Sequence, residues 1–186
     1  MPALVLFSQR PRTGKTAVAV GLAQRLRHDK RSAALIRLGP PDDESAAADA
    51  RCYASLGLTA GEASRPLSAD EATGLLRGAP DTVFLLELPA GEDARPYEGP
   101  AVLVERFADL DTAKAASLRK TLGTSFAGLI VTATPASRLA TVWQEPGGRD
   151  VHLMAALPED RLLAAPTIAE MAAALEAQAL FLDGHA

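Results

Sequence analysis

The chain has 186 residues, a net charge of −4 at pH 7 and 23% charged side chains. This length fits one domain, which we take to span residues 1–186, and the acidic balance argues against a nucleic-acid partner. A single cysteine, Cys52, excludes an internal disulfide, and no apolar run approaches the ~20 residues of a membrane helix. These features predict a soluble cytoplasmic protein without a membrane or nucleic-acid partner.

Short apolar runs alternate with longer segments of helical periodicity along the chain. This alternation is typical of a parallel sheet that helices cover on both faces. The pattern predicts helices directly after Thr16, over 111–122 and over 166–177, and surface loops over 39–45, 89–100 and 144–150. The predicted strands are 3–7, 33–38, 82–88, 101–105, 128–133 and 151–157. The sequence therefore predicts a three-layer α/β domain with a mainly parallel sheet.

Residues 8–16 read SQRPRTGKT and lie between the first strand and the first helical segment. A loop that ends in Gly-Lys-Thr in this context is typical of a phosphate-binding P-loop. Backbone N–H groups at the start of the helix would point at the phosphates, and Gly14 would let the backbone approach them closely. Lys15 would add a positive charge, and the Thr16 hydroxyl would ligate Mg²⁺.

The first half of this loop departs from the usual pattern. Gln9 stands where the pattern has glycine, and Pro11 has no N–H to donate. Arg10 and Arg12 bring guanidinium groups, which bind phosphate well. Three interpretations follow: a rebuilt nucleotide site, a regulatory or assembly module with weak or no nucleotide binding, or a sensor that binds another anion through its arginines.

The order of the segments resembles the family of dethiobiotin synthetase and cobyrinic acid a,c-diamide synthase. It is especially similar to the P-loop domain at the N-terminus of long bacterial phosphate acetyltransferases. The resemblance covers nearly the whole chain and implies a P-loop NTPase fold. It also implies either a stand-alone version or the N-terminal part of a longer architecture. Related P-loop proteins carry a signature lysine at the position of Arg10.

Two carboxylates match the family's metal-binding positions. In IRLGPPDDESAAADARCYASLGL, Asp49-Ala50 matches an Asp-Ala pair that opens a helix and helps hold Mg²⁺, and Arg37 lies at the position of a family lysine. A charge at a helix N-terminus is the alternative interpretation of Asp49. In DTVFLLELPAG, Glu87 matches the carboxylate at the tip of the third strand. Ligands of open α/β sheets bind at such strand ends, although a solvated strand-end charge is the alternative.

Two further positions match the family's base pocket. Thr132, in AGLIVTATP, lies where the family has the Asn that contacts adenine, and a plain strand-end hydroxyl is the alternative interpretation. Pro158 matches the stretch that packs on the base, although a proline after a strand is also an ordinary turn signal.

The resemblance implies binding of ATP with Mg²⁺, and either ATP hydrolysis or ATP-driven activation of a small carboxylate. It implies catalytic roles for Lys15, Asp49 and Glu87, metal ligation by Thr16, Asp49 and Glu87, and a homodimer. The predicted nucleotide-binding residues are Arg10, Arg12, Thr13, Gly14, Lys15, Thr16, Ala17, Thr132 and Pro158.

Overall fold

The computed structural model describes residues 3–59, 64–142 and 151–160. The predicted alternation of strands and helices is confirmed, and all six strands lie within two residues of their predicted ends. The strands are β1 (Ala3–Phe7), β2 (Ala33–Arg37), β3 (Val83–Glu87), β4 (Ala101–Arg106), β5 (Phe126–Thr134) and β6 (Leu153–Pro158). The helices are α1 (Lys15–His28), α2 (Glu44–Ser55), α3 (Ala69–Gly78) and α4 (Thr112–Leu122).

The six strands form one fully parallel sheet in the order β2-β3-β1-β4-β5-β6. The first strand is therefore central, with β3 on one side and β4 on the other. Along the sequence, β2 and β3 come first and lie on one side of β1, and β4, β5 and β6 follow on the other side. This reversal creates a crevice outside the carboxyl end of β1, where ligands bind in open α/β sheets.

Each face of the sheet has its own apolar core, as three layers require. One core joins the sheet to α1 through Val18, Ala19 and Ala23 and to α2 through Tyr53. The other joins the opposite face to α3 and α4, where Ala72 and Ala115 are buried. Both cores consist mainly of Val, Leu, Ile and Ala on the strands, because strands that are covered on both faces have no polar side.

Two helix starts differ from the predictions. Asp43 lies in the predicted surface loop over 39–45, but its side chain accepts hydrogen bonds from the Ser45 and Ala46 N–H groups and caps α2. As a result Asp49 lies in the middle of α2, and its predicted place at a helix start is wrong. Helix α3 was not predicted; Ser68 and Glu71 form a capping box at its N-terminus.

The predicted helix over 166–177 and the predicted loop over 144–150 lie outside the described residues. In the part of the chain that the structure does describe, every helix is too short or too polar to cross a membrane.

Candidate functional site

In the described part of the chain, burial of polar and charged side chains is concentrated at the carboxyl end of the sheet. Among the described residues, the buried polar or charged side chains follow or close β1 to β5, at the carboxyl end of the sheet, or lie in the loop after β1. Burying such groups is costly unless they are hydrogen-bonded or serve a ligand, so their concentration marks a functional edge. They are Ser8, Thr13, Lys15, Arg37, Glu87, Glu105, Thr132 and Thr134.

Lys15 lies at the centre of this edge, as the first residue of α1, and is 6% exposed. Its ammonium group donates to Ser8 Oγ at 2.6 Å, and Ser8 Oγ in turn donates to the Arg10 carbonyl oxygen at 2.7 Å. Burial lowers the pKa of Lys15, an effect that nearby Glu87, Glu105 and Asp49 oppose. The geometry thus places a buried cation inside the loop that the sequence singles out.

The N-terminus of α1 is built differently from those of the other described α-helices. No side chain caps it, whereas Asp43, Ser68 and Asp111 cap α2, α3 and α4. Gly14 precedes it with a left-handed φ of 84°, a conformation that favours glycine. The N–H groups of this helix start, together with the helix dipole, suit an anion.

Three oxygen atoms converge beside the start of α1. Thr16 Oγ1 lies 3.1 Å from Asp49 Oδ1 and 3.2 Å from Glu87 Oε1. The hydroxyl has a single hydrogen, so it can donate to only one of the two carboxylates, and the cluster is short of donors. A divalent cation satisfies such a set, and Mg²⁺ in proteins takes one or two carboxylates and completes its octahedron with water and phosphate oxygens. The residues therefore fit the predicted Mg²⁺.

Arg37 and Tyr53 hold these two carboxylates in place. The Arg37 guanidinium is 7% exposed; its Nε donates to Asp49 Oδ2 at 3.1 Å, and its Nη1 donates to the Leu38 carbonyl oxygen at 2.6 Å. The Tyr53 hydroxyl donates to Glu87 Oε2. Burial raises the pKa of Glu87, while Tyr53, Arg37 and Lys15 lower it. The pair is thus a fixed, partly neutralised carboxylate site.

The opposite side of the loop is fastened to β4. The Gln9 N–H donates to Glu105 Oε1 at 2.7 Å, and Arg10 Nη1 donates to Asp109 Oδ1 at 2.8 Å. Arg10, predicted to bind phosphate, is 62% exposed and paired with Asp109. Arg12 is also exposed and has a left-handed φ of 57°.

A cleft of about 360 Å³ lies next to the loop on the α1 side of the sheet. Thr132 at the end of β5 forms part of its wall, and its hydroxyl donates to the Thr13 carbonyl oxygen at 2.6 Å, so this side chain supports the loop. Thr13 is buried, and its Oγ1 has no hydrogen-bond partner among the described residues. The cleft is lined by loop and strand-end residues, including Arg12, Thr13, Gly14, Ala17, Thr132, Ala133, Pro158 and Glu159.

The structure thus brings the predicted residues together in two groups: Lys15, Thr16, Asp49 and Glu87 around the start of α1, and Thr132 with Pro158 at the cleft. Sequence reasoning missed Ser8, Tyr53 and Glu105. Glu105 carried a usable signal, since it follows an apolar run at the end of a predicted strand, as Glu87 does. Tyr53 carried none, because its partner is 34 residues away along the chain.

No family model matches this sequence, and no curated protein does. Among solved structures, the hydrogenase maturation factor HypB from Archaeoglobus fulgidus is similar over 94% of this chain and 88% of its own, with 12% identity and a TM-score of 0.50. A nucleotide-binding protein from Archaeoglobus fulgidus, in complex with ADP, is similar over 87% and 83%, with 16% identity and a TM-score of 0.50. FlhF complexed with GMPPNP and Mg²⁺ gives 18% identity and a TM-score of 0.49 over 70% of this chain; the match spans about half of FlhF, 55%.

The first two similarities, together with the sheet order, establish the fold of the chain. It is the three-layer α/β fold of P-loop NTPases with a parallel six-stranded sheet, as predicted.

Proposed function

We propose that this chain is a single nucleotide-binding P-loop domain over residues 1–186 that binds ATP with Mg²⁺ in the manner of dethiobiotin synthetase-like proteins. The observation that carries the proposal is the buried Lys15 at an uncapped helix start, next to Thr16 between two carboxylates. Hydrogen-bond donors, a fixed cation and a carboxylate pair are what a metal-bound polyphosphate requires.

In this proposal the residues have distinct tasks. Lys15 and the N–H groups of Gly14 to Ala17 bind the phosphates, and Thr16, Asp49 and Glu87 hold Mg²⁺. The metal, when bound, neutralises phosphate charge. Thr132 keeps the loop against β5, and Pro158 forms the rim of the cleft that receives the base. If the domain is catalytic, positioning and charge stabilisation by these residues would support ATP hydrolysis or activation of a small carboxylate.

The second candidate is a regulatory or assembly module with weak or no nucleotide binding. One observation favours it: the donors of the loop are already engaged within the protein, Lys15 with Ser8 and Gln9 with Glu105. The missing N–H of Pro11 also lowers the number of donors available to a phosphate. A homodimer in the cytoplasm belongs to both candidates as a proposal by analogy with related P-loop proteins.

Isothermal titration of the full chain with Mg-ATP and Mg-ADP separates the two candidates. The first predicts saturable micromolar binding that Lys15→Ala abolishes and Lys120→Ala leaves unchanged, because Lys120 is exposed in the last turn of α4, away from the loop. An absence of heat up to millimolar nucleotide, from a protein that unfolds cooperatively, would contradict the first candidate and support the second.

A further inference from the structure

Glu105 lies against the phosphate loop from the side opposite to the carboxylate pair. It is 4% exposed, and its Oε1 accepts the backbone N–H of Gln9, 96 residues earlier in the chain, at 2.7 Å. Gln9 occupies the position at which a P-loop normally has its first glycine. A buried acid thus holds a loop N–H at the edge where an anionic ligand would bind.

The second oxygen of this carboxylate has no hydrogen-bond donor among the described residues. Glu105 lines a small cavity of about 90 Å³ between the loop and α4. The charged groups that face it are Lys15 from α1, Arg10 from the loop and Asp109 after β4, with Asp111 and Lys114 at the α4 side of the cavity. One oxygen of Glu105 is therefore hydrogen-bonded to the loop, and the other is without a donor from the described residues, beside a cavity.

A phosphate group in the loop would bring negative charge next to this carboxylate. Repulsion between like charges is stronger beside a largely buried side chain than in bulk water, and a proton on one of them relieves it. Burial already raises the pKa of Glu105, and Asp109 raises it further, against opposing effects of Gln9, Lys15 and Arg10. A protonated carboxyl keeps an acceptor oxygen for Gln9 and gains an O–H that can donate to a phosphate oxygen.

We propose that Glu105 is a further functional residue of the phosphate loop, a positioning residue that holds Gln9 when no anion is bound and takes up one proton from solvent when a phosphate group binds. The inference rests on the proposed phosphate binding and adds a linkage to it: a phosphate ligand binds more tightly as the pH falls. Glu105 thereby competes with phosphate for the loop and sets the pH range in which the site fills.

Titration calorimetry with Mg-ADP at pH 6, 7 and 8, in pairs of buffers with different ionisation enthalpies, tests this linkage. The comparison is between the full-length wild type and Glu105→Gln, whose amide oxygen still accepts from Gln9 but carries no charge. We expect wild-type affinity to fall with rising pH by up to about tenfold per unit. At pH 8, Glu105→Gln should bind Mg-ADP at least about tenfold more tightly than the wild type. It should also take up fewer protons on binding, with a difference of as much as one proton per ligand.

Asp81→Asn is the control, because it removes an exposed carboxylate at the opposite edge of the sheet, away from Glu105 and the loop. It should keep the wild-type proton uptake, whereas Glu105→Ala should lose both the uptake and the anchoring of Gln9. Equal uptake and equal pH dependence in the wild type and Glu105→Gln would overturn the role of Glu105 while leaving nucleotide binding intact. No binding at pH 6 by either protein, both shown to be folded by circular dichroism, would overturn the proposed function and this inference with it.

Discussion

Two buried glutamates flank the central strand at its carboxyl end, Glu87 on β3 and Glu105 on β4, and they have opposite surroundings. Glu87 is 3% exposed and contacts side chains: Thr16, Tyr53 and, at 3.9 Å, the Arg37 guanidinium. Glu105 is 4% exposed; its carboxylate accepts the Gln9 backbone N–H, and its carbonyl oxygen lies 3.4 Å from the Thr132 hydroxyl. Burial raises the pKa of both.

The difference shows how position decides the task of a residue. Glu87 belongs to a network of side chains with a fixed cation, which suits a metal or the positioning of water. The Glu105 carboxylate is bonded to the loop backbone at Gln9, which suits control of the loop's shape and charge. Changes on the β3 side should therefore alter stability and metal dependence, and changes on the β4 side should alter pH dependence.

The largest effect should come from Arg37→Met, which removes the buried cation from the Glu87 network on the β3 side. The substitution leaves Asp49 and Glu87 without the Arg37 guanidinium and the Leu38 carbonyl oxygen without its donor. We expect a loss of about 3–5 kcal/mol in the free energy of unfolding, measured by urea denaturation. Arg25→Met, which breaks only an exposed ion pair with Asp29, should cost less than about 0.5 kcal/mol. Similar losses for the two variants would contradict the buried network.

Next in size is the metal dependence of nucleotide binding. Glu87→Gln removes a negative charge from the proposed Mg²⁺ site, so the gain in ADP affinity on adding Mg²⁺ should shrink by about 10–100-fold. Glu105→Gln should keep the wild-type gain, since it lies on the other side of the loop. Calorimetric titrations of ADP with and without Mg²⁺ measure this gain. An unchanged gain in Glu87→Gln would remove Glu87 from the metal site.

A smaller effect is expected at the start of α1. Gly14→Ala forces an alanine into a left-handed φ of 84°, and we expect it to lower stability by about 1 kcal/mol and to weaken phosphate binding. Gly21→Ala is the matched control inside the same helix, where an added Cβ meets no atom within 4 Å. It should raise stability by up to about 1 kcal/mol. Thermal unfolding of both variants should therefore give shifts in opposite directions.

The smallest effect should be the pH dependence of stability on the β4 side. Burial raises the pKa of Glu105 in the folded state above its ordinary value of 4.5. Protonation of Glu105 therefore stabilises the fold fully at a pH below 4.5, and this stabilisation is lost as the pH rises through the folded-state pKa. The difference in Tm, wild type minus Glu105→Gln, should thus increase by a few degrees at most as the pH falls from 8 to 5. Asp81→Asn, an exposed change at the opposite edge of the sheet, should show no such trend.

Much of the fold was predictable from local patterns. The six strands are short apolar runs. Because helices cover both faces of the sheet, the strands lack alternating polar residues and are easy to recognise in the sequence. Helix α3 was missed because its apolar residues are few; Ala72 is its single buried residue. The start of α2 was misplaced because Asp42 and Asp43 both suit a loop, and only the bonds to Ser45 and Ala46 identify Asp43 as the cap.

The sequence by itself determined the strand–loop–helix unit ending in Gly14, Lys15 and Thr16, since adjacent residues and their periodicity encode it. Tertiary structure decided which acids meet that unit. Asp49, Glu87 and Glu105 reach the loop across 33, 71 and 96 residues of chain. Such contacts depend on the strand order, in which β1 lies between β3 and β4, and no local pattern carries that order. The uncapped start of the helix is thus a property of a short segment, and the charge balance around it is a property of the sheet.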